Sequence, residues 1–139
     1  MPRPNYLSKK HKMPEKHLFE YAVIRVVPRV EREEFLNVGV IVYCSAEGFL
    51  QTKFKLNEAR LWAFSDQIDM PELTARLGAF DRICDGRSKG GTIGQLSRAE
   101  RFRWLTATRS TVVQTSAVHP GLCENAADTL ERLFVQLVL

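Results

Sequence analysis

The sequence predicts a single α+β domain: a mostly antiparallel sheet of about four strands, with helices packed on one face. Three observations predict it. The chain has 139 residues, 45% of them hydrophobic, enough for one core and too few for two full-sized folds. Strand-like segments come in a run before helical periodicity begins, and one more strand and helix close the chain. That order belongs to segregated strands and helices and not to alternating βα units. A short loop containing Gly48 also joins two of the strands at hairpin distance.

The first strand is Phe19 to Val27, apolar at both parities, as in a strand covered on both faces and central in its sheet. Pro28 ends it, because proline has no N–H to give a ladder, and Glu31, Arg32, Glu33 and Glu34 form a turn or bend. Leu36 to Cys44 is the second strand, residues 45–48 the hairpin loop, and Phe49 to Leu56 the third strand. In the third strand Leu50, Phe54 and Leu56 share one parity while Gln51, Lys53 and Lys55 take the other, so one face is wet.

Helical spacing follows over Glu58 to Phe64 and Met70 to Cys84. Asp69 caps the longer segment, with Glu72 three residues on, and Gly86 ends it. Ser97 and Glu100 make the S-x-x-E pattern of a capping box, opening a helix whose Ala99, Phe102 and Leu105 face inward. Thr111 to Val118 is the fourth strand. A last helix, about Ala126 to Val138, turns Ala126, Leu130, Leu133, Phe134 and Leu137 to the core.

Net charge is +4, and residues 1–17 carry the whole excess, with five Lys or Arg against one Glu. This segment reads as a disordered basic tail that touches polyanions weakly and without sequence readout, and residues 18–139 as the folded domain. The longest apolar stretch, Phe35 to Cys44, is about half of what a membrane-spanning helix needs. The basic start lacks an apolar core and cleavage site, so it is no secretory signal. The expected location is therefore the cytoplasm. Cys44, Cys84 and Cys123 are odd in number and lie in or beside apolar segments, as reduced structural thiols do, and no disulfide is expected.

Few patterns carry chemistry. The loop GRSKGGTIG, residues 86–94, has flexible backbone and two bases but no P-loop ending and no preceding strand, and it reads as a mobile connection. His119 and Cys123 lie four apart without a second ligand pair, so neither metal nor cofactor is expected. There is no nucleophile elbow and no zinc-protease helix.

Two polar segments stand out. Arg25 shares the parity of Tyr21, Val23 and Val27 in a central strand, and a buried guanidinium there needs company. Either Glu33, Glu34 or Asn37 pairs with it to fix the hairpin, or it edges a pocket. The second segment, residues 101–121, holds Arg101, Arg109, Ser110, Gln114, Ser116 and His119, with Phe102 and Trp104 interleaved. Guanidinium forks suit anionic groups, and aromatics between them suit stacked bases. Equally, Phe102 and Leu105 belong to the core and the arginines to a wet helix face. Ser110 or Ser116 with His119 resembles a nucleophile and base, but no acid is placed to orient the imidazole.

The segments EYAVIRVVPRVEREEFLNVGVIVYC and RFRWLTATRSTVVQTSAVHPGL together resemble the bacterial domain of unknown function 3037 family. Arg25, Pro28, Glu34, Asn37 and Gly39 match the first family pattern, and Arg101, Phe102, Arg109, Ser110, Gln114, His119 and Gly121 the second. Where the family reads acid-acid-Pro before the last helix, this chain has Glu124, Asn125 and Ala126. The resemblance assigns no activity. It implies a partner, a HipA-like kinase. The polar, Arg-rich segment without a recognisable catalytic set gives the leading expectation, a non-enzymatic binding or regulatory module with Arg101, Arg109, Gln114 and His119 receiving an anionic group or partner. Nucleic-acid binding and a small enzyme built on Arg25, Glu34, Asn37 and His119 are the rival expectations.

Overall fold

The computed structural model describes residues 15–139. Five strands form one antiparallel sheet: β1 (His17–Val26), β2 (Leu36–Cys44), β3 (Phe49–Phe54), β4 (Val113–Thr115) and β5 (His119–Cys123). Four helices accompany it: α1 (Glu58–Phe64), α2 (Met70–Asp85), α3 (Arg98–Leu105) and α4 (Ala126–Leu137). The strand order is β3-β2-β1-β4, and β5 also pairs with β1, so β4 and β5 together run beside β1 as one interrupted strand.

Each helix begins where its sequence says. The side chains of Asn57, Asp69, Ser97 and Asn125 accept from the N–H groups of Arg60, Glu72, Glu100 and Asp128, and Ser97 with Glu100 closes the full capping box. Asn125 thus has a capping role, for which an amide serves as well as a carboxylate. Beyond α2, Gly86 takes φ +79, a conformation that side-chain-bearing residues avoid.

The α+β class and the antiparallel sheet are as expected, with two particulars corrected. The single fourth strand is two short ones, and helices cover both faces of the sheet. On one face Ala22, Ile24, Val26, Val38 and Ile41 pack against Leu73, Leu77 and Phe80 of α2 and Phe102 and Leu105 of α3. On the other, Phe19, Val40, Val42, Cys44 and Cys123 pack against Leu130, Leu133 and Phe134 of α4. The two-sided apolar pattern of β1 and β2 is the sequence trace of this arrangement. A β-bulge between Ile24 and Arg25 in the β1–β2 register breaks strict alternation, so that Val38 and Val40 face opposite clusters. Gly39 lies beside it, where a Cβ would stand 2.8 Å from the Lys53 carbonyl oxygen and from the Phe54 Cβ.

The break between β4 and β5 is closed by a side chain. The Ser116 N–H donates to the Val23 carbonyl and the Val23 N–H donates to Ser116 Oγ, both at 2.8 Å. The hydroxyl in turn donates to the Ala117 carbonyl at 2.9 Å. Ser116→Ala leaves the buried Val23 N–H without an acceptor. It should lower the unfolding free energy by about 1–3 kcal/mol in urea melts.

Of the expected tail, residues 1–14 lie outside the described residues, and His17 already belongs to β1. The glycine-rich loop forms two 3-10 turns, Arg87–Gly90 and Ile93–Gln95. Among the described residues, no helix is long and apolar enough to cross a membrane.

Candidate functional site

The register of β1 with its two neighbours brings three of the candidate residues into one row. Arg25 faces Asn37 on β2 and Gln114 on β4, so the three side chains lie abreast on the α4 side of the sheet. Their place there is anchored by Asn37 Nδ2, which donates to the Leu137 carbonyl of α4 at 3.1 Å. Helix α4 packs over β2 and β3. Phe19 of β1 and Cys123 of β5 also pack against it.

Arg25 has no ion-pair partner among the described residues: of the expected companions Glu33, Glu34 and Asn37, Asn37 lies opposite it in the register, and neither glutamate pairs with it. Its guanidinium instead lies over Phe35, 3.9 Å from the ring centroid, and its Nε is buried without a hydrogen-bond partner. In the same row Asn37 Oδ1 is also buried and unpartnered. A cation on an aromatic ring keeps its in-plane donors free, since the contact uses the π face. A buried unmet donor costs on the order of 1–3 kcal/mol, which an incoming acceptor recovers. One row across the face of the sheet thus offers a cation unneutralised among the described residues, an unmet donor and an unmet acceptor together.

His119 stands on the same face, opposite Tyr21, with ring centroids 5.3 Å apart, and Tyr21 in turn stacks on Phe19 at 6.0 Å. Arg25 lies four residue steps from Tyr21, about 13 Å along β1. That span suits an extended ligand touching both ends and is too long for both groups to act on one bond.

The remaining candidates are elsewhere. Glu34 is exposed on the bend, where the Arg32 guanidinium holds its carboxyl below the usual range. It lines a separate concavity of about 440 Å³ with Arg29, Trp62 and Asp66. Ser110 is exposed ahead of β4, and Ser116 is consumed by the ladder. Arg101 and Arg109 lie on α3 and the loop after it, on the opposite side of the sheet from His119. Arg101 is buried, and its guanidinium donates to the carbonyls of Ile83, Cys84 and Leu96. Arg109 donates to the Leu105 carbonyl at 3.1 Å and to that of Trp104, and stacks on the Trp104 ring at 4.4 Å. Burial lowers its pKa. With Arg76 and Phe80 it borders a cleft of about 310 Å³. The expected convergence of Arg101 and Arg109 with Gln114 and His119 is therefore corrected: α3 packs on the opposite face from β4's Gln114. Phe102, weighed as a base-stacking ring, is fully buried against Tyr43, its ring centroid 5.3 Å away.

Two features escape the sequence reading. Phe35, between the bend and β2, is the ring beneath Arg25, and Tyr21 is the ring beside His119; the shared parity of Tyr21 and Arg25 is their one sequence signal. Cys123 meets Cys44 and Glu47, and not His119.

A family model described as a protein of unknown function, DUF3037, matches residues 21–138. No curated protein and no solved structure matches.

Proposed function

The chain belongs to the DUF3037 family, and within it we propose a non-enzymatic binding module whose Arg25 face takes an extended, acidic segment of a protein partner. One observation carries this reading: a guanidinium without a counterion among the described residues lies over Phe35 beside the unpartnered Asn37 Oδ1, on a part of the sheet adjoining α4. A carboxylate entering there accepts from Arg25, while a backbone N–H beside it donates to Asn37 Oδ1. Gln114 and His119 supply further polar contacts along the same face. A HipA-like kinase is the partner we propose to try first.

The enzyme reading has less support. Glu34 is turned away on the bend, Ser116 Oγ is held by the ladder, and His119 has no ion-pair partner among the described residues. The nucleic-acid reading retains Trp104 as an exposed ring but not Phe102. A regulatory role through protein contact needs neither.

The test is affinity capture of the tagged full-length protein from its native cells, followed by titration of the captured partner against variants. Arg25→Glu should weaken that partner by about 2–5 kcal/mol, the cost of breaking a desolvated charge pair. Arg109→Ala, on the opposite face, should leave it unchanged. A folded Arg25→Glu protein that retains every wild-type partner at wild-type affinity would sink this placement.

A further inference from the structure

We propose that Cys44, Glu47 and Cys123 form a binding site for one zinc-class divalent ion. They come from three places: the end of β2, the hairpin loop and the end of β5. The two Sγ atoms and a carboxylate oxygen all lie within 4.8 Å of one another. Each sulfur is 3.8 Å from the same atom, Glu47 Oε2.

Those spacings are those of ligands around an ion. With zinc–sulfur bonds of about 2.3 Å and zinc–oxygen bonds of 2.0–2.2 Å, a tetrahedron has edges of roughly 3.6–3.8 Å. Small side-chain shifts complete it. The carboxylate is also oriented from behind: the Ala126 N–H, at the start of α4, donates to it at 3.1 Å. That bond survives on Oε1 when Oε2 faces the metal, an outer contact of the kind that steadies metal ligands.

Two thiols and one carboxylate select by chemistry. Thiolate donors favour zinc-like ions over calcium and magnesium, which prefer all-oxygen shells. Cys123 borders a concavity of about 310 Å³, lined also by Glu124 and Asp128 and by Lys16 and Arg132, which gives an ion a route to the sulfur without a net charge to draw it. His17, opposite Cys123 in the register, lies outside the cluster, so solvent takes the fourth position. On uptake each thiol gives its proton to solvent as its sulfur binds the ion. Two protons leave, two metal–sulfur bonds form and nothing is oxidised.

Such an ion ties the β2 end, the hairpin loop, β5 and the start of α4 together. The sequence conceals it, because Cys44 and Cys123 are far apart along the chain, and the pair that spacing suggests for Cys123 is His119, which is not in the cluster.

Reduced, chelator-treated full-length protein is titrated with Co²⁺ without oxygen, then with Zn²⁺. Thiolate-to-cobalt charge-transfer absorption should grow to one equivalent and vanish as zinc displaces cobalt. It should be absent in Cys44→Ser and Cys123→Ser, and unchanged in Cys84→Ser, whose thiol is on the other face. Glu47→Gln should bind roughly tenfold more weakly with the absorption retained. Should the serine variants fail to fold, the exposed Glu47 carries the test, and unchanged cobalt affinity there overturns the site. Absence of the absorption in wild type overturns it as well, as does a native Cys44–Cys123 disulfide that takes up no cobalt once reduced.

Discussion

Arg101→Ala is expected to lower the unfolding free energy by about 3–5 kcal/mol, since it leaves three carbonyls without their donor at roughly 1–3 kcal/mol for each that stays buried. The reason lies in where its donors go. Nη1 donates to the carbonyls of Ile83 at 2.8 Å and Cys84 at 2.7 Å, in the last turn of α2, and Nε donates to Leu96 at 3.1 Å. Carbonyls at a helix C-terminus have no partner in their own helix and carry the negative end of its dipole, so a cation there answers both needs. Gly86 makes the approach possible, since a Cβ at that position would stand 2.7 Å from Arg101 Nη1. The truncated variant leaves three acceptors and a cavity among them. Arg101→Lys keeps charge without the fork and should fall between the two. Urea denaturation of the three proteins measures this, and a loss under about 1 kcal/mol for the alanine variant would show the contacts to be incidental.

The second large effect is alkaline. The Cys84 thiol is pushed up from 9.0 to about 12, chiefly by burial, then by the Asp81 carboxylate, with Arg101 opposing. Unfolded chains therefore release this proton near pH 9 while the folded protein holds it to about 12. The stabilising contribution is whole below pH 9 and is lost as pH rises toward 12, because across that window the unfolded state binds fewer protons. The full loss is on the order of 4 kcal/mol. Cys84→Ala removes the titration, so its stability should fall less steeply between neutral pH and roughly pH 10.5 in paired urea melts. Equal slopes for wild type and variant would mean that the thiol ionises freely in the fold.

These two expectations involve neighbouring groups on α2 and α3, away from the Arg25 face. The division matters for interpretation. Loss of partner binding in an Arg101 variant reports a weakened domain, whereas loss in a folded Arg25 variant reports the contact itself.

What the sequence by itself determined is the local part. Capping at Asn57, Asp69, Ser97 and Asn125 depends on side chains bonding backbone three residues away, so it is written within four residues of chain. The β2 limits, the hairpin loop and the α1 limits follow the same logic. The parity that singled out Arg25 also holds, since β1 is regular along its pairing with β4 and β5. Tertiary structure decided the rest, because it depends on which strands become neighbours and which face each helix covers. The sequence puts Arg101, Gln114 and His119 in one polar run, but α3 and the β4/β5 strand pack on opposite sides of a sheet, and the run is divided. Arg25, Asn37 and Gln114 are distant in the chain and adjacent in the fold because β1 lies between β2 and β4. Cys44 and Cys123 meet at Glu47 for a similar reason: β2 and β5 flank β1, and α4 begins where they end.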